Sequence, residues 1–180
     1  MTARFVLLSL FIAVSAQAQR VTVGANFGGS SAASNLATSA DWKSGWSLGA
    51  NLTYRFASRL GLRADANVAQ NALSGGVAIP GEQRFNKISY TGNAVWQSTT
   101  ARGHLAPYAL AGIGAVRIAD KGSDSSFTRF ATNFGLGLGY RLGKLGLRAE
   151  GRDLIYKFDH FGYSRTQNDM LWQAGLTLGI

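Results

Sequence analysis

The sequence predicts an all-β fold, an eight-stranded antiparallel up-and-down transmembrane β-barrel, on three observations. Eight runs alternate apolar residues with polar residues or glycine, and a period of two places successive side chains on opposite faces of a strand. The apolar side of these runs is nearly free of charge, whereas the other side carries arginines and carboxylates. The connections between runs alternate long and short. A charge-free outer face with a polar inner face is the inversion expected when hydrocarbon is the solvent.

Composition agrees with that inversion. Among 180 residues there are 23 glycines and 2 prolines, which suits long strands with small inward positions. Charged residues make up 15%, below the roughly 25% of soluble domains. The formal charge of +9 raises nucleic acid as a partner, but the basic residues are scattered along alternating runs and form no cluster, so none is expected. Absence of cysteine excludes a disulfide framework, a thiolate nucleophile and a lipidation site.

Residues 1–18 read as a secretory signal. Arg4 supplies the positive start, Phe5 to Val14 the apolar run, and Ala16-Gln17-Ala18 an A-x-A cleavage site. That run of about ten residues is too short for a helix that needs roughly 20 to cross a bilayer. The mature domain, 19–180, then begins at Gln19, and an exported chain without a helical anchor points to the outer membrane, the periplasm or the medium.

The first run is Arg20 to Phe27, with Val21, Val23, Ala25 and Phe27 on one face, and a polar loop extends from Gly28 to Ser44. The second, Gly45 to Phe56, sets Trp46, Leu48, Ala50, Leu52, Tyr54 and Phe56 against Ser47, Gly49, Asn51, Thr53 and Arg55. After a turn at Ala57-Ser58-Arg59, the third runs from Leu60 to Gln70 with Arg63, Asp65 and Asn67 on its polar face. A loop with Gly75-Gly76 and Pro80-Gly81 leads to the fourth, Phe85 to Gln97. The fifth, Pro107 to Arg117, mixes small and apolar residues on both parities, and Gly112 and Gly114 are assigned inward. Ile118 to Ser126 reads as a polar loop.

The sixth and seventh runs form the clearest hairpin, Phe130 to Tyr156, around a turn at Gly143-Lys144. If Leu142 pairs with Leu145, Gly139 faces Arg148, Gly137 faces Glu150 and Gly135 faces Arg152. Each long charged side chain then stands beside a residue with no side chain, an economy of space that a crowded interior requires. Asp153 breaks the alternation and suggests a bulge. The eighth run is Asp169 to Ile180. With an even strand number, the longer loops lie outside and both ends of the mature chain lie on the periplasmic side. Aromatic girdles are expected from Tyr54, Phe56, Trp96, Tyr108 and Tyr140 near the turns and Trp46, Phe130 and Trp172 near the loops.

The chain ends on a strand with Gln173, Gly175, Leu178 and Ile180 in the order polar, glycine, apolar, apolar. This ending resembles the C-terminal signal by which Gram-negative outer-membrane barrels are read by the barrel assembly machinery, although many of those end in Phe where this chain has Ile180. Together with the eight runs, it makes the mature chain similar to the eight-stranded outer-membrane barrel superfamily typified by the OmpA transmembrane domain, OmpX and the opacity proteins. The resemblance implies location in the outer membrane, contact with its lipid and lipopolysaccharide, and external loops that present an adhesion or interaction surface. It covers architecture and carries no catalytic motif.

The inward polar set comprises Arg55, Arg63, Asp65, Lys87, Arg141, Arg148, Glu150 and Arg152. Eight strands enclose a bore that side chains fill, so these groups are expected to plug it as ion pairs around Asp65 and Glu150, with Asn51, Asn67 and Asn133 filling gaps. An anion passage is the competing reading, because positive groups outnumber acids. A structural or interaction role follows, with a small-solute or ligand transport barrel as the alternative.

An enzyme is not expected. His160, with Asp159 and Ser164 nearby, is the position at which a lipid A-modifying activity would be sought, but nothing in the spacing enforces a nucleophile–base pair. His104 reads as a solvated turn residue. Two distant histidines and scattered acids make no metal cluster, and Gly-Leu-Gly-Leu-Gly lies inside a strand and is no phosphate loop, so neither metal nor cofactor is expected. The basic residues Lys43, Arg84, Lys121, Arg129, Lys157 and Arg165 are candidates for lipopolysaccharide phosphates. A soluble lipocalin-like carrier would reverse every facing given above.

Overall fold

In a computed structural model, residues 21–32, 41–74, 83–98, 104–120, 126–160 and 163–180 are described. The expected signal sequence and Lys121 lie outside them. Eight strands follow one another: β1 (Val21–Ala32), β2 (Asp41–Arg55), β3 (Leu60–Ser74), β4 (Gln83–Gln97), β5 (Leu105–Asp120), β6 (Ser126–Leu142), β7 (Leu145–His160) and β8 (Tyr163–Gly179). Each pairs antiparallel with its sequence neighbour, and β1 pairs with β8, so the sheet closes. Closure removes the exposed strand edges that a flat sheet would leave unpaired.

The strands are longer on the loop side than alternation alone indicated. Ser30, Ser31 and Ala32 pair with Leu171, Met170 and Asp169, although Gly28 to Ser44 reads as loop. Likewise Ile118 and Ala119, placed in a loop by their polar neighbours, pair with Phe127 and Ser126. The physical reason is that these segments rise past the hydrocarbon layer, where polar and apolar residues are equally tolerated outside and the amphipathic signal fades. About 9–11 residues suffice to cross the apolar layer, and most of these strands have 15–17.

The hairpin register is the one the alternation implied: Leu142 pairs with Leu145, Gly139 with Arg148, Gly137 with Glu150 and Gly135 with Arg152. Gly143 takes φ of 65°, a left-handed conformation that glycine adopts without strain and that closes a two-residue turn with the twist of the strands. The pairing runs unbroken through Asp153, opposite Phe134 on β6 and Met170 on β8, so the expected bulge is absent there. Asp153 stays in the ladder because Asn168 Nδ2 donates to its Oδ2 at 3.0 Å, giving the carboxylate a partner on the same outer face. The bulge in β2 lies instead between Lys43 and Trp46.

Leu48, Leu52, Leu62, Ile113, Phe134, Leu136, Leu138, Leu147, Leu176 and Leu178 are exposed on the outer wall, while Arg63, Asp65, Glu150 and Arg152 are buried inside it. This facing rules out the soluble carrier. Gly112 and Gly114 do face inward on β5; a Cβ on either would strike the backbone of β4. The same parity turns Tyr108 inward, where it is 6% exposed, so it belongs to no lipid-facing girdle. The interior also has an apolar part that the sequence reading did not anticipate. Near the loop end, Phe85, Val116, Ile118, Ala131, Leu154 and Tyr156 pack together on the inner side of β4 to β7, with Phe127 against them.

Candidate functional site: the charged interior of the barrel

Alternation on β3 and β7 sends Arg63, Asp65, Glu150 and Arg152 into the bore, and closure of the sheet brings these two strands face to face. Arg63 grips Glu150 with both guanidinium nitrogens, Nη1 to Oε2 at 2.6 Å and Nη2 to Oε1 at 3.0 Å. Its Nε donates to Asp65 Oδ1 at 2.8 Å. Arg152 Nη2 bridges the same acids, 2.7 Å from Glu150 Oε1 and 2.9 Å from Asp65 Oδ1. Two guanidinium groups and two carboxylates thus form one electroneutral cluster, with side chains 2–4% exposed.

Neutral donors complete it. Tyr108 Oη donates to Glu150 Oε2 at 2.7 Å, and Asn93 Nδ2 donates to Asp65 Oδ2 at 2.7 Å. Gly137 makes room for the tyrosine: a Cβ at that position would collide with the Tyr108 ring. Bidentate, charge-assisted bonds of this kind are among the strongest available to side chains, and burial makes them depend on one another.

Two further tiers lie along the axis. Toward the turns, Arg148 stands apart from the acids and donates to Asn51 Oδ1 at 3.2 Å and to Asn26 Oδ1. Arg55 lies over Gly61, and Arg141 is exposed at the turn-side mouth; neither makes an ion pair among the described residues. Of the expected inward set, then, Arg63, Asp65, Glu150 and Arg152 come together, while Arg55, Arg141 and Arg148 do not join them. Toward the loops, Lys87 Nζ sits 2.7 Å from Asp169 Oδ2, which also accepts from Tyr156 Oη at 3.0 Å. Between these tiers Gln173 Nε2 donates to Ser47 Oγ and Asn67 Oδ1.

Sequence reasoning missed Tyr108, Asn93 and Asp169 as members. The signal for Tyr108 was its shared parity with Gly112 and Gly114. Asp169, at the start of the eighth run, has the parity of Gln173 and Gly175. Asn133 is buried, but its side-chain atoms have no hydrogen-bond partner among the described residues.

On the outer wall, Trp46, Tyr54, Phe56, Trp96, Tyr140 and Trp172 are all exposed, between 40% and 57%. At the last strand, Leu178 and Ile180 are exposed outside, whereas Gln173 is buried inside and Gly175 packs against β1. His104 is exposed beside Tyr140, ring centroids 5.6 Å apart. The strand register pairs Asp159 with Ser164 and His160 with Tyr163; their side chains lie outside the described residues. Lys43, Arg84, Arg129, Lys157 and Arg165 lie in the loop-side ends of strands rather than in loops, with Arg129 sharing the inward parity of Ala131 and Asn133. No group of residues suited to a metal ion occurs among the described residues.

The fold matches solved barrels over nearly the whole chain. Neisserial surface protein A aligns with a TM-score of 0.67 and 19% identity, covering 89% of this chain and 97% of that one. The N-terminal β-barrel domain of Pseudomonas aeruginosa OprF gives 0.52 and 14%, covering 90% and 98%. Ail of Yersinia pestis, solved with the heparin analogue sucrose octasulfate, gives 0.51 and 13%, covering 88% and 99%. At such identities the likeness speaks for the fold alone. No curated protein shows significant sequence similarity to the chain. The profile of one family, the outer membrane protein beta-barrel domain, matches residues 5–180. With its oily wall outside and its charges inside, this chain belongs to the outer-membrane β-barrel domain family.

Proposed function

We propose that this outer-membrane protein is a closed scaffold whose barrel anchors and whose external loops present a contact surface, and that it acts neither as a pore nor as an enzyme. The observation that carries this reading is the Arg63–Asp65–Glu150–Arg152 cluster, which spans the bore between β3 and β7 with its charges mutually satisfied. A hydrated pathway would leave such groups solvated; here burial and bidentate pairing hold them together. The buried Lys87–Asp169 pair above it, packed beside Ile118 and Leu154, adds a second obstruction to ions.

The remaining roles follow the same reading. Residues 1–18 act as a cleaved export signal, 19–180 form the mature barrel, and Gln173, Gly175, Leu178 and Ile180 form the strand that the assembly machinery reads. Arg55 and Arg141 serve the turn-side mouth, and the girdle aromatics hold the barrel at the two interfaces. Lipid and lipopolysaccharide surround the wall, and an extracellular partner engages the loops.

Planar-bilayer recordings test the central claim. The purified, folded barrel is expected to give no stable conductance steps. Reproducible anion-selective steps that vanish with Arg148→Ala would establish the transport alternative.

A further inference from the structure

Charge is distributed unevenly along the axis of the bore. Among the described residues, every side-chain carboxylate stands at the level of Asp65 and Glu150 or nearer the loops. The central cluster is neutral, and Lys87 is matched by Asp169. Arg55, Arg141 and Arg148 therefore give the turn-side half an excess of three positive side-chain charges. Exposure is graded in the same direction. Arg63 is buried, Arg148 and Arg55 are half-buried and Arg141 is exposed, so this half is a vestibule that opens at the turns and ends blind at the cluster.

The three cations converge on that vestibule. β2 and β6 lie four strands apart in a ring of eight, so Arg55 and Arg141 project from opposite walls. They are near enough to repel each other. Arg148, deeper on β7, is likewise repelled by Arg63 and is answered only by the amide oxygens of Asn26 and Asn51. The wall keeps room beside it. A Cβ on Gly139, the partner of Arg148, or on Gly179 would meet nothing nearer than 3.6 Å, whereas at Gly112 and Gly137 the space is already taken. Thr53, between Asn51 and Arg55 on the inner face of β2, and Thr177, whose hydroxyl lies over Gly146, add neutral donors. Like charges facing one another across a low-dielectric aperture focus a positive potential and concentrate anions. Guanidinium groups match phosphate oxygens in planar, bidentate contacts.

We propose that the turn-side vestibule binds a small soluble anion with two linked phosphates, held between Arg55, Arg141 and Arg148. A single phosphate would engage one or two of these groups; a linked pair reaches all three from opposite walls. The arginines stand inside the wall, and the lipid-facing positions at that level are Tyr54, Tyr140 and Leu142. The ligand is therefore a solute and not a lipid headgroup, taken from the periplasm, where the turns lie when the longer loops face outward. The site adds a ligand to the scaffold, and it rests on the closed-bore reading only in that the anion stops at the cluster.

The test is calorimetric titration of inorganic pyrophosphate into the full folded barrel in phosphatidylcholine nanodiscs at low ionic strength. One equivalent should bind, about tenfold more tightly than inorganic phosphate, the ratio that one added charge-assisted hydrogen bond supports. Arg55→Gln and Arg141→Gln should each weaken pyrophosphate about five- to tenfold. Each removes one member of a repelling pair, so folding should persist, and heat-modifiable migration checks it. Lys144→Gln, on the exposed β6–β7 turn, should change the affinity less than about twofold, as expected of a screened surface charge. No saturable binding by the folded wild type, or equal sensitivity to Lys144→Gln and Arg55→Gln, would overturn the site in favour of diffuse charge. Adding phosphatidylglycerol to the discs should lower the affinities of wild type and Arg55→Gln in the same proportion. A loss confined to wild type would give the arginines to a lipid headgroup and overturn the soluble ligand. Planar-bilayer recordings separate the two readings: binding with conductance keeps the site and rejects the closed bore, whereas a silent barrel that binds nothing rejects the site alone.

Discussion

Glu150→Ala examines the interior most directly. The Glu150 carboxylate accepts five hydrogen bonds from Arg63, Arg152 and Tyr108. Counting Arg63 and Arg152 against Asp65 and Glu150, the cluster sums to zero; without Glu150 it carries +1, with Asp65 as the sole carboxylate. Loss of the one side-chain methylene, Cγ, contributes only ~0.8 kcal/mol, whereas an uncompensated buried charge costs about 3–5 kcal/mol. Electrostatics therefore decides the outcome, and Glu150→Ala should lose about 3–5 kcal/mol of unfolding free energy, read by tryptophan fluorescence during urea unfolding from lipid vesicles. Combining it with Arg152→Met restores neutrality, and the pair should be less destabilised than the sum of the single changes by ~1–3 kcal/mol. A loss below about 1 kcal/mol, or strict additivity in the cycle, would show that water reaches these groups and that the bore is not plugged.

The same logic applies one tier higher, where Lys87→Met alone should cost ~3–5 kcal/mol by stranding Asp169, while Lys87→Met with Asp169→Leu should be neutral or stabilising. Urea midpoints of the two variants, compared in one lipid, check the contrast. Leu136, 69% exposed on the outer wall and roughly 15 Å above the turn, tests the facing of the sheet. Leu136→Arg should lose about 2–4 kcal/mol of stability in vesicles, and an unchanged midpoint would contradict lipid contact there.

Much of this architecture was legible because β-structure repeats every two residues and hydrocarbon permits no charge. The Gly–Arg and Gly–Glu pairs of the β6–β7 hairpin and the inward facing of Glu150 followed from local spacing around Gly143, and the inward facing of Asp65 from the alternation of its own run. What sequence could not supply was which inward groups meet. Arg63 and Glu150 are 87 positions apart, and Lys87 and Asp169 are 82 apart, so their pairing depends on the stagger with which the sheet closes. Tyr108 was misplaced because an aromatic beside a turn looks alike whether it points to lipid or into the bore. The apolar cluster of Val116, Ile118 and Leu154 was hidden for a related reason: leucine-like residues inside a barrel mimic those outside it. Asp153 broke the pattern without bending the strand, because Asn168 on the adjoining strand could receive it.

The seam between β1 and β8 joins the earliest and latest strands of the fold. The edge of β1 that β2 leaves free has no partner until Asp169 to Leu178 is in place, so the cylinder cannot close on its first seven strands. Hairpins of neighbouring strands close over short stretches of chain, whereas the seam is an event of the whole domain.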